Sequence, residues 1–242
     1  MKESPILFST PMVQAILAGR KTQTRRIVPL KNQENNFIGH LLGKTHESEK
    51  LAFGRKKNVM ETISLKYHPG DLLWVRETFQ YGVFNNPILM DEVAYKADGN
   101  NFPEMNELGW RPSIHMPKKA ARIWLKVTDI SLQRVKEISA EDAIKEGIKN
   151  RYNHTFQETR YFDYQDLESE WRSPVSSFMS LWCSIHGEEN WDMNPWVWVI
   201  EFEVISTSGK PEFYSVRGNL LVNPVAPNKN TSVNIKQLTQ QL

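Results

Sequence analysis

The residues best suited to chemistry stand together in Arg20-Lys21-Thr22-Gln23-Thr24-Arg25-Arg26, four cations interleaved with two hydroxyls and an amide, followed at once by apolar Ile27 and Val28. Like charges this close repel, and beside a core the repulsion is poorly screened. Two readings follow: a solvated basic turn, or an anion or nucleotide site. A threonine hydroxyl is nearly inert until a base takes its proton, and a lysine is that base only when its pKa falls from about 10.4 towards neutrality. Neighbouring cations and desolvation both push it that way. Lys21 has Arg20 beside it and Arg25 close by, so Lys21 and Thr24 are the candidate base and nucleophile. In a flat strand their spacing puts the two side chains on opposite faces, so the segment must bend for them to cooperate.

A carboxylate that could act as an acid is Glu146. It closes a helix expected over Ala140–Glu146, where the negative end of the macrodipole disfavours a second negative charge, and it borders the buried stripe marked by Ala143. Its plain alternative is an ordinary surface glutamate. Glu77, at a strand end beside Arg76, is a comparable candidate. Trp74 in the same strand, and Ser113 and His115 between the prolines of PSIHMP, complete the candidate substrate contacts. The six histidines are scattered with no pair at i, i+4, and the single cysteine, Cys183, lies near an apolar helical stripe, so no metal site is expected. No glycine-rich phosphate loop is present, and no cofactor is expected.

The elements that must position these residues are legible from punctuation and period. Thr10, Pro11 and Gly19 bracket a helix over 11–18 with an apolar stripe of Met12, Val13, Ile16 and Leu17. Leu72 to Val75 is a strand buried on both faces, launched by the Pro69-Gly70-Asp71 turn, and Val93 to Ala97 is a further short strand. From Ala121, Ile123, Leu125 and Val127 alternate with polar residues as a half-buried strand, with Trp124 as the exception. Ser139 caps the helix that ends at Glu146. Ser173 and Pro174 start a third helix that Gly187 stops, and Pro195 opens the last strand, whose apolar residues start with Trp196 and Trp198. Residues 31–67 and 149–172 are polar and aperiodic and are read as insertions, with Arg55, Lys56 and Lys57 a solvated charge run. Residues 207–242 are read as a poorly ordered tail.

A chain of 242 residues carrying a net charge of +2, one cysteine and no long apolar run suits one soluble domain in the cytoplasm. The N-terminus lacks a signal-peptide pattern. So small a charge does not by itself mark a nucleic-acid binder, and eight tryptophans in patterned apolar segments have core packing as their default role. Several short strands with few helices predict an α+β domain or a small barrel.

GRKTQTRR after a short helix, PGDLLWV, SAEDAIKEGI and PWVWVIEFEVI, in that order, resemble the ASCH domain family, whose fold is similar to the PUA domains that bind RNA. The resemblance covers most of the chain outside the two insertions and the tail, and looks closest to the long phage and bacterial members. It implies a PUA-like small β-barrel over 1–206 with about three short helices packed around it, and a nucleoside or RNA as partner. Small members that resemble this chain around GRKTxT hydrolyse the acetyl amide of N4-acetylcytidine. The resemblance assigns proton acceptor to Lys21, nucleophile to Thr24 and proton donor to Glu146; the basic rim of Arg20, Arg25 and Arg26 around them is read as the hold on ribose or phosphate. This chain is more than twice the length of those enzymes, and its motif is more basic. A non-catalytic module that binds RNA or a modified nucleotide is the rival expectation, with Lys118, Lys119 and Arg122 as a second patch. A ribonuclease is the third.

Overall fold

The computed structural model describes residues 1–41, 50–55, 58–81, 93–99, 109–155, 157–166, 168–216 and 219–222. In chain order the elements are β1 (Glu3–Leu7), α1 (Thr10–Leu17), β2 (Gln23–Ile27), β3 (Asn36–Leu41), β4 (Lys50–Arg55), β5 (Asn58–Ser64), β6 (Leu72–Arg76), β7 (Phe79–Tyr81) and β8 (Val93–Tyr95). They continue with β9 (Trp124–Arg134), α2 (Ala140–Lys145), β10 (Asn150–Asn153), β11 (Glu158–Phe162), β12 (Glu170–Trp171), α3 (Pro174–His186), α4 (Glu188–Asp192), β13 (Trp196–Ser206), β14 (Phe213–Val216) and β15 (Asn219–Val222). The architecture is mixed, with helices and mostly antiparallel sheets, as an α+β chain requires.

The longest strands, β9 and β13, pair antiparallel at the centre of a five-stranded sheet of order β1-β6-β9-β13-β2, and β1 runs parallel to β6. Among the described residues no strand pairing joins β1 to β2, so the sheet is open and the closed barrel is absent. One face packs Leu73, Val75, Leu125, Val127, Ile200 and Phe202 against Val13 and Ile16 of α1. The other face is divided. Val197 and Val199 meet Ala143 of α2 with Phe178 and Trp182 of α3, while Leu72, Trp74 and Trp124 meet Met116. Trp124 is thus no exception: it stands opposite Trp74 in register, 1% exposed, because this stretch of sheet has a core on each side.

Several boundaries differ from the sequence expectation. Helix α1 begins at Thr10, and Ser9 is the N-cap in extended conformation, its side chain making no cap bond. Pro11 still falls in the first turn, where its missing N–H costs nothing. The segment 31–67 is no plain loop: β3, β4 and β5 form a sheet whose Leu51, Ala52 and Phe53 are buried. Phe37, Phe53 and Trp196 meet edge to face with ring centroids 5.8–6.4 Å apart, which anchors this sheet to the end of β13. Segment 149–172 likewise forms the sheet β10-β11-β12, with Tyr161 and Tyr164 packed on the helical core. Residues Phe213–Val216 and Asn219–Val222 pair as a hairpin at the start of the expected tail. Positions 223–242, together with Lys56 and Lys57, lie outside the described residues.

Candidate functional site

Chain direction after α1 is set by Gly19, whose φ of +69° turns the backbone back on the helix end. Arg20 and Lys21 then both donate their N–H to the Ala15 carbonyl, at 2.9 and 3.1 Å. Lys21 pairs as an antiparallel bridge with Glu146, and Thr22 N–H donates to the Lys145 carbonyl at 2.9 Å. The end of α2 is fixed in turn by its own start: Ser139 Oγ accepts from Asp142 N–H at 3.1 Å, and Asp142 O accepts from Glu146 N–H at 2.9 Å. Gly147 permits the approach. Its φ is +85°, and a Cβ there would stand 2.7 Å from Lys21 Cβ and 2.9 Å from Ala15 Cβ.

The result is a buried ion network. Lys21 Nζ donates to Glu146 Oε2 at 2.7 Å and to the Glu146 carbonyl at 2.8 Å, with the side chains 0% and 4% exposed. Arg25 Nη1 donates to Glu146 Oε1 at 3.2 Å and to Gln23 Oε1 at 2.6 Å. Arg25 Nη2 donates to Asp142 Oδ2 at 3.1 Å and Gln133 Oε1 at 3.2 Å, and the guanidinium lies 5.8 Å from the centre of the Phe178 ring. Burial pushes the Lys21 ammonium below its ordinary pKa; Glu146 opposes this, and Arg26 and Arg25 add to it. A lysine so placed is closer to the neutral amine that a base must be.

Thr24 faces Ile200 across β2 and β13 and is almost fully buried. It lines a narrow hollow of about 60 Å³ together with Glu146, Arg25, Arg26 and, from α3, Phe178 and His186. A wider hollow of about 240 Å³ adjoins, sharing Met12, Glu146, Leu181 and Ile185 with the first and adding Tyr164 and Ser184. Glu146 therefore stands at the junction of Lys21, Thr24 and two hollows. Lys21 itself lines neither and makes no hydrogen bond to Thr24. His186 was absent from the sequence candidates. It lies against Trp182 with centroids 4.5 Å apart and planes tilted by 43°, and partial burial, reinforced by Arg26, holds its pKa below the usual 6.5, so the ring is neutral at pH 7. Its position in the last turn of an amphipathic helix was the one available signal.

The arginines divide. Arg20 Nη1 donates to the Gly147 carbonyl at 2.8 Å and Arg25 is consumed by the network, so both brace the site. Arg26 donates to the Leu7 carbonyl, lies 5.2 Å from the Phe8 ring centre and still lines the hollow. The structure does not bring Trp74, Glu77, Ser113 or His115 to this place. Trp74 is core beside Trp124, whereas Glu77 is held by Arg122 through two bonds of 2.9 Å, with Asp98 on the same guanidinium at 2.8 Å. Burial raises the Glu77 pKa against the pull of Arg122. Ser113 and His115 lie on a 3-10 turn next to Met116, whose sulfur accepts from Glu77 N–H at 3.2 Å. In the second basic patch Lys118 pairs with Glu3 and Arg122 with Glu77, so two of its three cations are engaged in ion pairs.

Among the described residues no group of three or more His, Cys, Asp and Glu could hold a metal, and no helix is long and apolar enough to cross a membrane. Cys183 is buried and burial raises its thiol pKa, which suits a packing role. Comparison of the chain with protein-family models, with curated proteins and with solved structures returned no match.

Proposed function

We propose that this chain is an ASCH-like protein acting on nucleosides, in which Lys21, Thr24 and Glu146 hydrolyse an acetyl amide such as that of N4-acetylcytidine. The observation that carries the reading is the contact of Lys21 Nζ with Glu146 Oε2 at 2.7 Å, between residues far apart in sequence, at a hollow that Thr24 also lines. Sizes support it: the inner hollow of about 60 Å³ has room for an acetyl group, and the outer one of about 240 Å³ can hold most of a nucleoside. The side-chain tie from Arg26 to the Leu7 carbonyl links the two sheet edges, which supports a barrel-like reading of the open sheet.

The chemistry starts from proton transfer within the pair. Lys21 gives its proton to Glu146 along their hydrogen bond, which leaves a free amine and a carboxylic acid in place of two buried ions. Lys21 then takes the Thr24 proton as Thr24 Oγ1 attacks the acetyl carbonyl, the C–N bond breaks, and Glu146 protonates the departing N4. That step leaves Lys21 as the ammonium and Glu146 as the carboxylate, as at the start; water then hydrolyses the acetyl-threonine, restoring the Thr24 hydroxyl and releasing acetate and a proton. Chromatography of N4-acetylcytidine incubated with the purified protein is expected to show cytidine and acetate. Absence of turnover by wild type, or undiminished turnover by Lys21→Ala, defeats the reading.

A second reading has its own support. Every charge in the Lys21–Arg25–Glu146 network is matched within the protein, as in a purely structural brace. On that reading Arg26 and the outer hollow bind a nucleotide without catalysis. Saturable, salt-sensitive binding that leaves the nucleoside intact favours it.

A further inference from the structure

Arg26 also lines a second and larger cavity, of about 360 Å³, which lies between the principal sheet and the end of β5 and opens to solvent. Its walls are aliphatic, with Ile6, Ile63, Ile130 and Ile200, and it carries two aromatic residues, Tyr67 and Trp198. Both are more than nine-tenths buried, and Tyr67 is fixed by donating its hydroxyl to the Pro5 carbonyl at 3.1 Å. Two cations, Arg26 and Lys66, line it, and no acidic side chain does among the described residues. Neither cation has a carboxylate at ion-pair distance among the described residues: Arg26 lies over Phe8 and donates to the Leu7 carbonyl, and Lys66 Nζ stands 5.1 Å from the Tyr67 ring centre. Arg26 is only partly exposed and feels Glu146 from beyond ion-pair distance, whereas Lys66 stands exposed at the mouth; an anion drawn in past Lys66 meets a guanidinium held against apolar walls and offsets its poor solvation. Rings beside a guanidinium favour a flat ligand, which stacks on both. The volume lies at the small end of ligand pockets, roughly 300–1,000 Å³, and admits one ring system with a short acidic arm.

We propose that this cavity is a binding site for a small planar anion: one aromatic ring system bearing a single carboxylate or phosphate. The site is separate from Lys21 and stands whether or not the chain hydrolyses amides. It also gives segment 31–67 a task, since β5 and the residues that follow it supply Ile63, Lys66 and Tyr67. The same chemistry occurs in a nucleoside monophosphate and in an aromatic acid. Calorimetric titration of the full chain with adenosine 5′-monophosphate and with indole-3-acetate, each beside its uncharged counterpart adenosine or indole, separates the two. At least one anion is expected to bind at one site per chain, its uncharged counterpart roughly tenfold or more weaker, as loss of a charge-assisted bond implies. Binding of the first alone assigns a nucleotide, and of the second alone an aromatic acid. Because Lys66 is exposed, Lys66→Gln is expected to weaken the bound anion by roughly two- to fivefold, Lys66→Arg to restore it, and Lys126→Gln, at a lysine paired with Glu203, to change nothing. Failure of both anions to bind, equal binding of charged and uncharged partners, or unchanged affinity in Lys66→Gln overturns the proposal.

Discussion

Replacing Lys21 by methionine and Glu146 by glutamine, singly and together, is expected to give strongly non-additive losses of stability. At a separation of 2.7 Å and an effective dielectric of about 20, the attraction is about 6 kcal/mol before desolvation. Taking both ions out of water costs several kcal/mol each, so the intact pair contributes little net, whereas removing one partner costs about 3–5 kcal/mol. Lys21→Met lies at the low end, because Glu146 keeps Arg25 at 3.2 Å. Glu146→Gln lies at the high end, because Lys21 then loses its counter-charge and keeps only neutral acceptors, the amide oxygen and the backbone carbonyl at 2.8 Å. The double variant should lose about 3–5 kcal/mol, not the sum of the singles, giving a coupling of about 3–5 kcal/mol. Urea unfolding measures each loss as a shift of midpoint at constant slope. Losses that add to within about 0.5 kcal/mol would refute the reasoning, since buried partners in contact cannot be independent.

Other outcomes follow from the same geometry. The deficit of Glu146→Gln should shrink as pH rises towards about 10.4: with its carboxylate gone, buried Lys21 holds its proton less tightly folded than unfolded, and stability climbs where the unfolded state binds more protons. A deficit that stays constant up to pH 10 counts against it. Gly147→Ala should cost about 2–4 kcal/mol by thermal denaturation, because a Cβ meets Lys21 Cβ at 2.7 Å on a backbone with φ of +85°, and an unchanged midpoint would contradict this. The Tyr95 hydroxyl is pushed up to about 12 by burial, so the folded state keeps a proton that the unfolded one releases above pH 10. Stability should therefore fall more steeply from pH 10 to 11 in wild type than in Tyr95→Phe, and equal slopes would exclude a buried phenol.

How far the sequence reached depends on how local the cause was. The stripe of α1, the Ser139 cap and the glycine after α2 were readable because each acts within one turn, and they brought Lys21 and Glu146 into consideration together. Arg25 was read as a nucleotide contact and is instead an inward clamp. Strand alternation puts Gln23 and Arg25 on the helix-facing side, but a run of charges gives no sign of which carboxylates will meet it. The segment 31–67 looked polar because only Leu51, Ala52, Phe53 and a few others are buried, and their partner, Trp196, is far away in sequence. His186 was lost for the same reason, since its place beside Thr24 is created by α3 packing across β2.

The most direct test of the proposed chemistry is peptide mapping by mass spectrometry after acid quenching during incubation with N4-acetylcytidine. An acetyl group on Thr24 in wild type, absent in Thr24→Val together with loss of cytidine formation, is the predicted result. Cytidine released by Thr24→Val at the wild-type rate, or wild-type protein that neither carries acetyl nor releases cytidine, would contradict it.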